Sequence, residues 1–555
     1  MISPTLRELE GLRYDFSTGA TTRKLELLAE LEGDRLGSSD EVQRLHAALK
    51  FSRAFPESRA VLTVVERLLD AFEKRADLRR HRKELADSGI VGTDLYFRFY
   101  WLTAIWLWHR AANQLSIEWK EWENKEKLEG LLHLLLPFTE TPALDSVGYT
   151  SKEWLDTLRG PDESDAAFLI RRFDALRVDM PLREKLYEDL DIPMRLAPGQ
   201  RTPNKTHEKW EPSPIVFQER PPDRQRPDLK KALSAEKFRV RNVDAREGRR
   251  LLDLADFCMV SRHRDLLIFL YGDPHDVRMI DFGDGLQFAC FGAVPGRRLM
   301  LESVYGFLTL MNGVPIGYVL CSAFYESAEV AYNVFDTYRG AGAAQIYSRV
   351  LAMIHQLFGA TSFAADPYQL GHNNSEGQES GAWWFYYKLG FRPHDPEILA
   401  MVREEKEKIR TQRGYRTPAT RLNDMAAEYM FLQTGGRRND VLGKIDLGNI
   451  GLVTSRYLAE RFGGEREQGL QVCADEVAHL LGQRAWKKLP PGEKLAWERW
   501  APLVAVLPDV ASWTKPQKTA LRKIIRAKGG PREADYVRLF DKHTRLRDAL
   551  LALSV

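Results

Sequence analysis

The chain is poor in the features that mark an exported, metal-stapled or membrane-spanning protein. Its 555 residues include only four cysteines, Cys258, Cys290, Cys321 and Cys473. They are scattered without a Cys-x-x-Cys pair, so spacing suggests neither a disulfide framework nor a zinc site. The opening Met1-Ile2-Ser3-Pro4-Thr5-Leu6-Arg7-Glu8 lacks the basic start and apolar core of a secretory signal. The nearest approach to a membrane segment, Leu95 to Trp108, is interrupted by Arg98 and closed by His109 and Arg110. It falls short of the roughly 20 residues needed to span a bilayer, and its aromatics read as a helical core. A formal charge of +3 is too small for this size to imply nucleic-acid or membrane binding by itself. A reducing cytoplasm is the expected compartment.

What is present is a chain that is 44% hydrophobic and 29% charged, enough for several cores and hence several domains. Residues 1–194 are dominated by helical patterns such as Val61 to Leu69 and Ala166 to Phe173, and read as an all-α N-terminal domain. Between 195 and 234, Pro198, Pro203, Pro212, Pro214, Pro221, Pro222 and Pro227 stand among Arg and Lys. That composition disfavours regular structure and reads as a linker draped over a neighbouring domain. Helical patterning returns over 401–555, read as an all-α C-terminal domain with breaks at Gly435-Gly436, Pro490-Pro491 and Gly529-Gly530-Pro531. Within it the basic run Lys515, Lys518, Arg522, Lys523, Arg526 and Lys528 contains no acidic residue. It reads as a solvated helix face, with RNA, DNA or an acidic partner as the sharper alternative.

The central region, 235–400, is the most informative. Glu329 to Phe335 is rich in β-branched and aromatic residues, and from Ala344 to Phe358 the residues Ile346, Val350, Leu351, Ile354 and Leu357 recur at helical spacing. Between them lies Asp336-Thr337-Tyr338-Arg339-Gly340-Ala341-Gly342-Ala343-Ala344. Strand, glycine turn and helix in that order build an anion cradle: unpaired N–H groups of the helix's first turn, helped by the helix dipole, can reach phosphate oxygens where Gly340 and Gly342 leave room. Upstream, Tyr305 to Leu310 and Pro315 to Phe324 read as strands joined by Asn312-Gly313, a favoured hairpin turn because both residues tolerate positive φ. Downstream, Ser362 to Ala365 reads as a further strand. Ala382 to Phe391 reads as an amphipathic helix stopped by Gly390 and followed by a strand.

The glycine turn and the later helix together resemble the GNAT superfamily, whose members transfer an acyl group from acyl-coenzyme A to an amine. The family's Arg/Gln-x-x-Gly-x-Gly/Ala is matched by Arg339, Gly342 and Ala344, and its Ala-x-x-x-Tyr-x-Lys-x-Gly-Phe by Ala382, Tyr386, Lys388, Gly390 and Phe391. The family usually carries Asn three residues before the helix Ala, where this chain has Glu379.

The resemblance implies an α/β fold in which a central GNAT-like mixed sheet is flanked by the helical regions. It implies acetyl-coenzyme A or another acyl-coenzyme A as co-substrate, bound by Tyr338, Arg339, Gly340, Ala341, Gly342, Ala343 and Ala344. A main-chain N–H around Val334, Phe335 or Asp336 would polarise the acyl carbonyl. Tyr386 would protonate the departing thiolate, and Glu329 would deprotonate the amine through water, with Asp336, Asp366 and His372 as weaker candidates for that base. No metal is expected. The acceptor is an amine on a small molecule or a protein. The rival expectation keeps the fold without the reaction, as a coenzyme A-binding or interaction scaffold.

Overall fold

The computed structural model describes residues 3–211, 214–223, 225–340 and 342–555. They form two compact units, the first built from 1–221, 250–270 and 310–316 and the second from 222–249, 271–309 and 317–555.

The first unit is mainly helical but not all-α as its sequence suggests. Strands β1 (Leu95–Phe97), β2 (Leu115–Ile117) and β3 (Met194–Leu196) form a small antiparallel sheet in the order β1-β3-β2. Each is three residues long, too short for a period-2 pattern to stand out from the helices around it. The helix Trp101–Ala111 turns Trp101, Ala104 and Leu107 into a core shared with Trp122, Phe173 and Tyr187, so the helical part of the aromatic run packs as core, whereas Leu95–Phe97 is strand and Tyr96 and Tyr100 are exposed. A second core gathers Leu27, Leu31, Leu45, Leu49, Val65 and Leu69.

The stretch expected to be a linker is partly built into this unit. Thr206 and Glu208 are buried, and Glu208 accepts from Lys50 Nζ at 3.2 Å and from the Arg262 guanidinium. Burial, opposed by the Glu208 charge, pushes the Lys50 ammonium down to about 7. The proline-rich composition disfavours regular structure, yet the stretch expected to be a linker carries the end of β3 and the helix Leu229–Ala235, and the ionic partners that fix Glu208 come from residues far away in sequence.

The second unit is organised by a nine-stranded sheet. Its strands are β4 (Arg239–Asn242), β5 (Gly272–Asp281), β6 (Leu286–Ala293), β7 (Ser303–Met311), β8 (Val314–Phe324), β9 (Ser327–Val334), β10 (Ser362–Ala365), β11 (Arg392–Pro393) and β12 (Met430–Gln433). The spatial order is β11-β12-β10-β9-β8-β7-β6-β5-β4. β7 and β8 are joined through Asn312 and Gly313, with φ of 49° and 77°, the left-handed pair that a tight hairpin turn requires.

β8 pairs antiparallel with β9, whereas β9 and β10 run parallel and are connected through the helix Ala343–Phe358. A parallel neighbour needs a crossover of this kind. β12 inserts between β10 and β11, antiparallel to each. The boundary expected at 400 therefore falls inside the helix Pro396–Thr411, and the region beyond it is not all-α because β12 belongs to the central sheet.

After β12 come the helices Leu447–Phe462, Arg466–Leu481, Pro491–Val506, Lys515–Lys528, Glu533–Asp541 and Thr544–Leu553. They are fastened to the sheet's own connections. Phe540 stacks on Tyr325 at 4.4 Å between centroids, and buried Arg298 donates to the carbonyls of Lys528 and Gly530 at 2.8 and 2.6 Å.

Much of the basic run is engaged. Lys518 and Arg522 donate to the carbonyls of Ala511 and Gly482, Arg526 pairs with Glu493, and buried Lys528 pairs with Glu533.

Candidate active site

β9 and β10 make a fork. Their parallel pairing runs from Ser327–Ser362 through Ala328–Phe363 to Glu329–Ala364 and goes no further, while β9 stays paired with β8 as far as Val334. Ala331 to Val334 are accordingly half-buried on a strand otherwise embedded in the sheet. Strand amides two residues apart point to the same edge. The Tyr386 hydroxyl lies against the backbone amide of Tyr332, so the Val334 amide points toward the same open edge.

At the far end of the fork the chain leaves β9 through buried Phe335, makes a single tight turn over Asp336–Tyr338 with the Tyr338 ring buried, and passes Arg339 and Gly340. Gly340 and Gly342 have φ of 86° and 75°, the left-handed region that glycine enters without a Cβ penalty. Gly342 is the N-cap, and its carbonyl accepts from the amides of Gln345 and Ile346 at 3.0 and 3.1 Å. The amides of Ala343 and Ala344, in the first turn of the helix, have no intrahelical carbonyl to meet. Ala341 lies outside the described residues. The helix begins at Ala343 and buries the expected stripe of Ile346, Val350, Leu351, Ile354 and Leu357.

This turn is not bare. A Cβ on Gly342 would lie 3.4 Å from both the Asp223 carbonyl oxygen and Pro222 Cβ. Gln345, in the helix's first turn, donates through Nε2 to Asp223 Oδ2 and to the Gln225 carbonyl, each at 3.1 Å. Proline-rich chain thus crosses the cradle. Exposed Arg339 pairs with Glu376 at 2.5 Å and with Asp336 at 2.8 Å. A phosphate there would compete with two carboxylates for its guanidinium.

The helix Ala382–Leu389 presents alternate aromatics to different surroundings. Tyr386 is buried, edge-on to Tyr347 and to Phe391 at 5.5 and 5.4 Å between centroids. Its hydroxyl faces the Tyr347 hydroxyl as well as the Tyr332 amide, and burial together with the Asp366 charge pushes its pKa up. Tyr387 instead stacks on Trp383 at 5.3 Å, with the Arg392 guanidinium 4.1 Å from its ring centroid. Gly390 closes the helix with φ of 111°.

Glu329 stands where the paired half of β9 ends. Its Oε2 accepts from the Tyr429 hydroxyl at 3.3 Å. Burial, then the neighbouring negative charge of Asp366, pushes its carboxyl up to about 7, against the lowering effect of the Tyr429 hydrogen bond. Burial also raises Asp366, whose side chain caps Pro367–Leu370 by accepting from the Gln369 amide at 3.1 Å. A carboxyl near neutrality is suited to taking a proton at physiological pH.

Of the weaker candidates, Asp366 joins this cluster. Asp336 is exposed and paired with Arg339, and His372 is tied to the Asn423 carbonyl at 3.2 Å. Glu379 is exposed on the short helix Ser375–Ser380, whose N-cap is Asn374.

Tyr429, Pro222, Asp223 and Gln225 were not legible as site residues. Tyr429 precedes β12, a strand hidden in helical sequence. Nothing in the 222–225 composition indicates which turn it crosses.

Comparisons with protein-family models, with curated proteins and with solved structures find no match to this chain.

Proposed function

We propose that the chain is an acyl-coenzyme A-dependent N-acyltransferase of GNAT type, with acetyl-coenzyme A as the simplest donor. The observation that carries this reading is the fork: β9 and β10 part at Glu329, and the glycine turn, Tyr386 and Glu329 all border the unpaired half of β9. The glycine turn follows the end of β9, Tyr386 lies against the Tyr332 amide, and Glu329 stands where the pairing with β10 stops, which supports the reading.

In this reading the amides of Ala343 and Ala344 and the helix dipole hold the pyrophosphate. That requires Pro222 and Asp223 to shift outward. The Val334 amide donates to the thioester carbonyl oxygen as negative charge develops there. Glu329, whose carboxyl is pushed up to about 7 by burial and by the Asp366 charge, accepts a proton from the incoming amine. Tyr386, kept protonated by burial, donates toward the departing sulfur. The first-turn amides of Ala343 and Ala344 suit a phosphate in charge, while Asp223, Asp336 and Glu376 stand close to the place it would take.

The scaffold alternative is favoured by two specific features, the chain crossing Gly342 and the carboxylates that occupy Arg339. The test is amine-dependent release of coenzyme A thiol from acetyl-coenzyme A across a broad panel of amines, with Glu329→Gln as control. Saturable coenzyme A binding with no thiol release from any amine would move the assignment to a scaffold.

A further inference from the structure

A cavity of about 360 Å³ lies in the second unit, among the helices that follow β12. Its wall is made by Leu447, Ile450 and Leu458 of the helix Leu447–Phe462, Leu470 of the next helix, Leu503 of the helix Pro491–Val506, and Leu301 ahead of β7. The volume falls in the range of small-molecule sites, roughly 300–1,000 Å³, and an apolar wall with few polar groups is their usual make-up. Leu447, Ile450, Thr454 and Leu458 recur at helical spacing, so the stripe that this helix turns inward meets the cavity. Only Ile450 and Leu458 of its sixteen residues are buried. Side chains that border a void forfeit the dispersion contacts of a solid core, and an apolar guest restores them. Met300, also in the lining, is 38% exposed and leaves apolar surface at the entrance.

Two charged groups belong to the lining, and they differ. Burial pushes the pKa of Glu302 up, against the attraction of Lys528 and a hydrogen bond from its own backbone amide. Its carboxylate is therefore satisfied by protein groups. Arg499 is exposed and has no carboxylate partner among the described residues. It donates through Nη2 to the Gly296 carbonyl at 2.9 Å. The neighbouring Arg297 holds its guanidinium 4.3 Å from the Tyr271 ring centroid, and burial, then the Arg297 charge, pushes the Arg499 pKa down. Arg499 stands one turn before Pro502 and Leu503 on the same helix, which sets its guanidinium at the edge of the apolar wall. A guanidinium pressed by a like charge and lacking an acid is the group that an anion relieves.

We propose that this cavity binds a medium-chain alkanoate, with the carboxylate on Arg499 and the tail among the leucines. The inference does not depend on the acyltransferase reading, and binding involves no covalent step. A short polar anion would leave the wall uncovered, an alcohol of the same length would forgo the ion pair, and an alkylammonium would bring its charge against Arg499. Because the tail touches three helices and the chain ahead of β7, an occupied cavity ties these segments together. Binding to the folded chain alone raises its stability by mass action.

The experiment is calorimetry and thermal melting of the full chain with octanoate, using acetate, octanol and octylamine as comparators and omitting acyl-coenzyme A. Three variants probe the wall and the charge. Gly451→Leu adds a side chain on a lining residue where a Cβ meets nothing within 4 Å, and it replaces a glycine in a helix interior, so the ligand-free Tm should not fall while the cavity narrows. Arg499→Gln removes the charge and keeps a donor for the Gly296 carbonyl, and Arg499→Lys restores a cation at the same place.

The expected result is that octanoate binds at least about 10-fold more tightly than each comparator and raises the Tm. Gly451→Leu and Arg499→Gln should each lose at least about 10-fold in octanoate affinity, and Arg499→Lys should recover most of the second loss. No octanoate binding at millimolar concentration would overturn the proposal. So would octanol binding as tightly as octanoate, which would mean a neutral apolar guest. Unchanged octanoate affinity in either Gly451→Leu or Arg499→Gln would place the ligand elsewhere and overturn it as well.

Discussion

The Tyr429 hydroxyl donates to Glu329 Oε2 at 3.3 Å, joining the strand paired with β8 to the approach of a strand that the chain reaches only a hundred residues later. The bond opposes a carboxyl otherwise pushed up by burial and by Asp366. Removing it with Tyr429→Phe should raise the Glu329 pKa above about 7. The alkaline-rising limb of a kcat/KM profile for amine acylation should then move to higher pH. A limb that stays put, or moves down, would separate Glu329 from the rate.

The same shift makes a statement about stability. An acid whose folded pKa is raised favours folding while protonated. The favourable contribution is fully present below the unfolded value of 4.5 and is lost as pH rises through about 7. Glu329→Gln, which stays neutral, should therefore match the wild-type Tm near pH 4 and exceed it near pH 8.5. Thermal melts at the two pH values check this, and a variant less stable than wild type at the higher pH would contradict it.

Gly342 has φ of 75° and faces the Asp223 carbonyl and Pro222. Gly342→Val places a β-branched residue in the left-handed region, at a cost of about 1–3 kcal/mol, and fills the approach to the first-turn amides. The protein should remain folded with a lowered Tm, and coenzyme A affinity should fall by at least about 10-fold. Calorimetry giving equal affinities would remove the cradle from the site.

Gln345 holds the crossing segment with two hydrogen bonds, each typically worth about 0.5–1.5 kcal/mol net. If that segment must shift for a phosphate to reach Ala343 and Ala344, Gln345→Ala should strengthen coenzyme A binding, by several-fold in calorimetry. Weaker binding in the variant would mean that Asp223 and Gln345 support the ligand instead of covering its site.

Tyr386 and Tyr387 are neighbours in sequence with different surroundings, one facing the Tyr332 amide in the fork and the other stacked between Trp383 and Arg392. Tyr386→Phe should lower kcat by about 10-fold or more with little change in acyl-coenzyme A affinity, since only the donor to the thiolate is lost. Tyr387→Phe should leave kcat within about 2-fold. Equal losses in the two variants would show that the hydroxyl of Tyr386 has no special part.

The sequence by itself determined contiguous pieces of the large sheet and its crossover helix. β-branched and aromatic residues marked β9. Gly340 and Gly342 marked a turn that needs positive φ, the apolar stripe from Ile346 to Leu357 marked the helix, and Asn312-Gly313 marked the hairpin. These signals are local, because each depends on residues within a few positions of one another. The register that turns Tyr386 inward and Tyr387 outward is local for the same reason, fixed by Gly390 at the helix end.

Tertiary structure decided what distance in sequence conceals. β12 pairs with β10 across more than sixty intervening residues, and three-residue strands find one another in the first unit only because β3 lies between β1 and β2. The Glu329 pKa comes from burial and from Asp366, neither of which is written in the residues adjoining it. The chain over Gly342 and the leucine-lined cavity beside Glu302 arise from packing between segments more than a hundred residues apart. Composition constrains what each segment can be. Which segments meet is settled by the burial and hydrogen bonding of the whole unit.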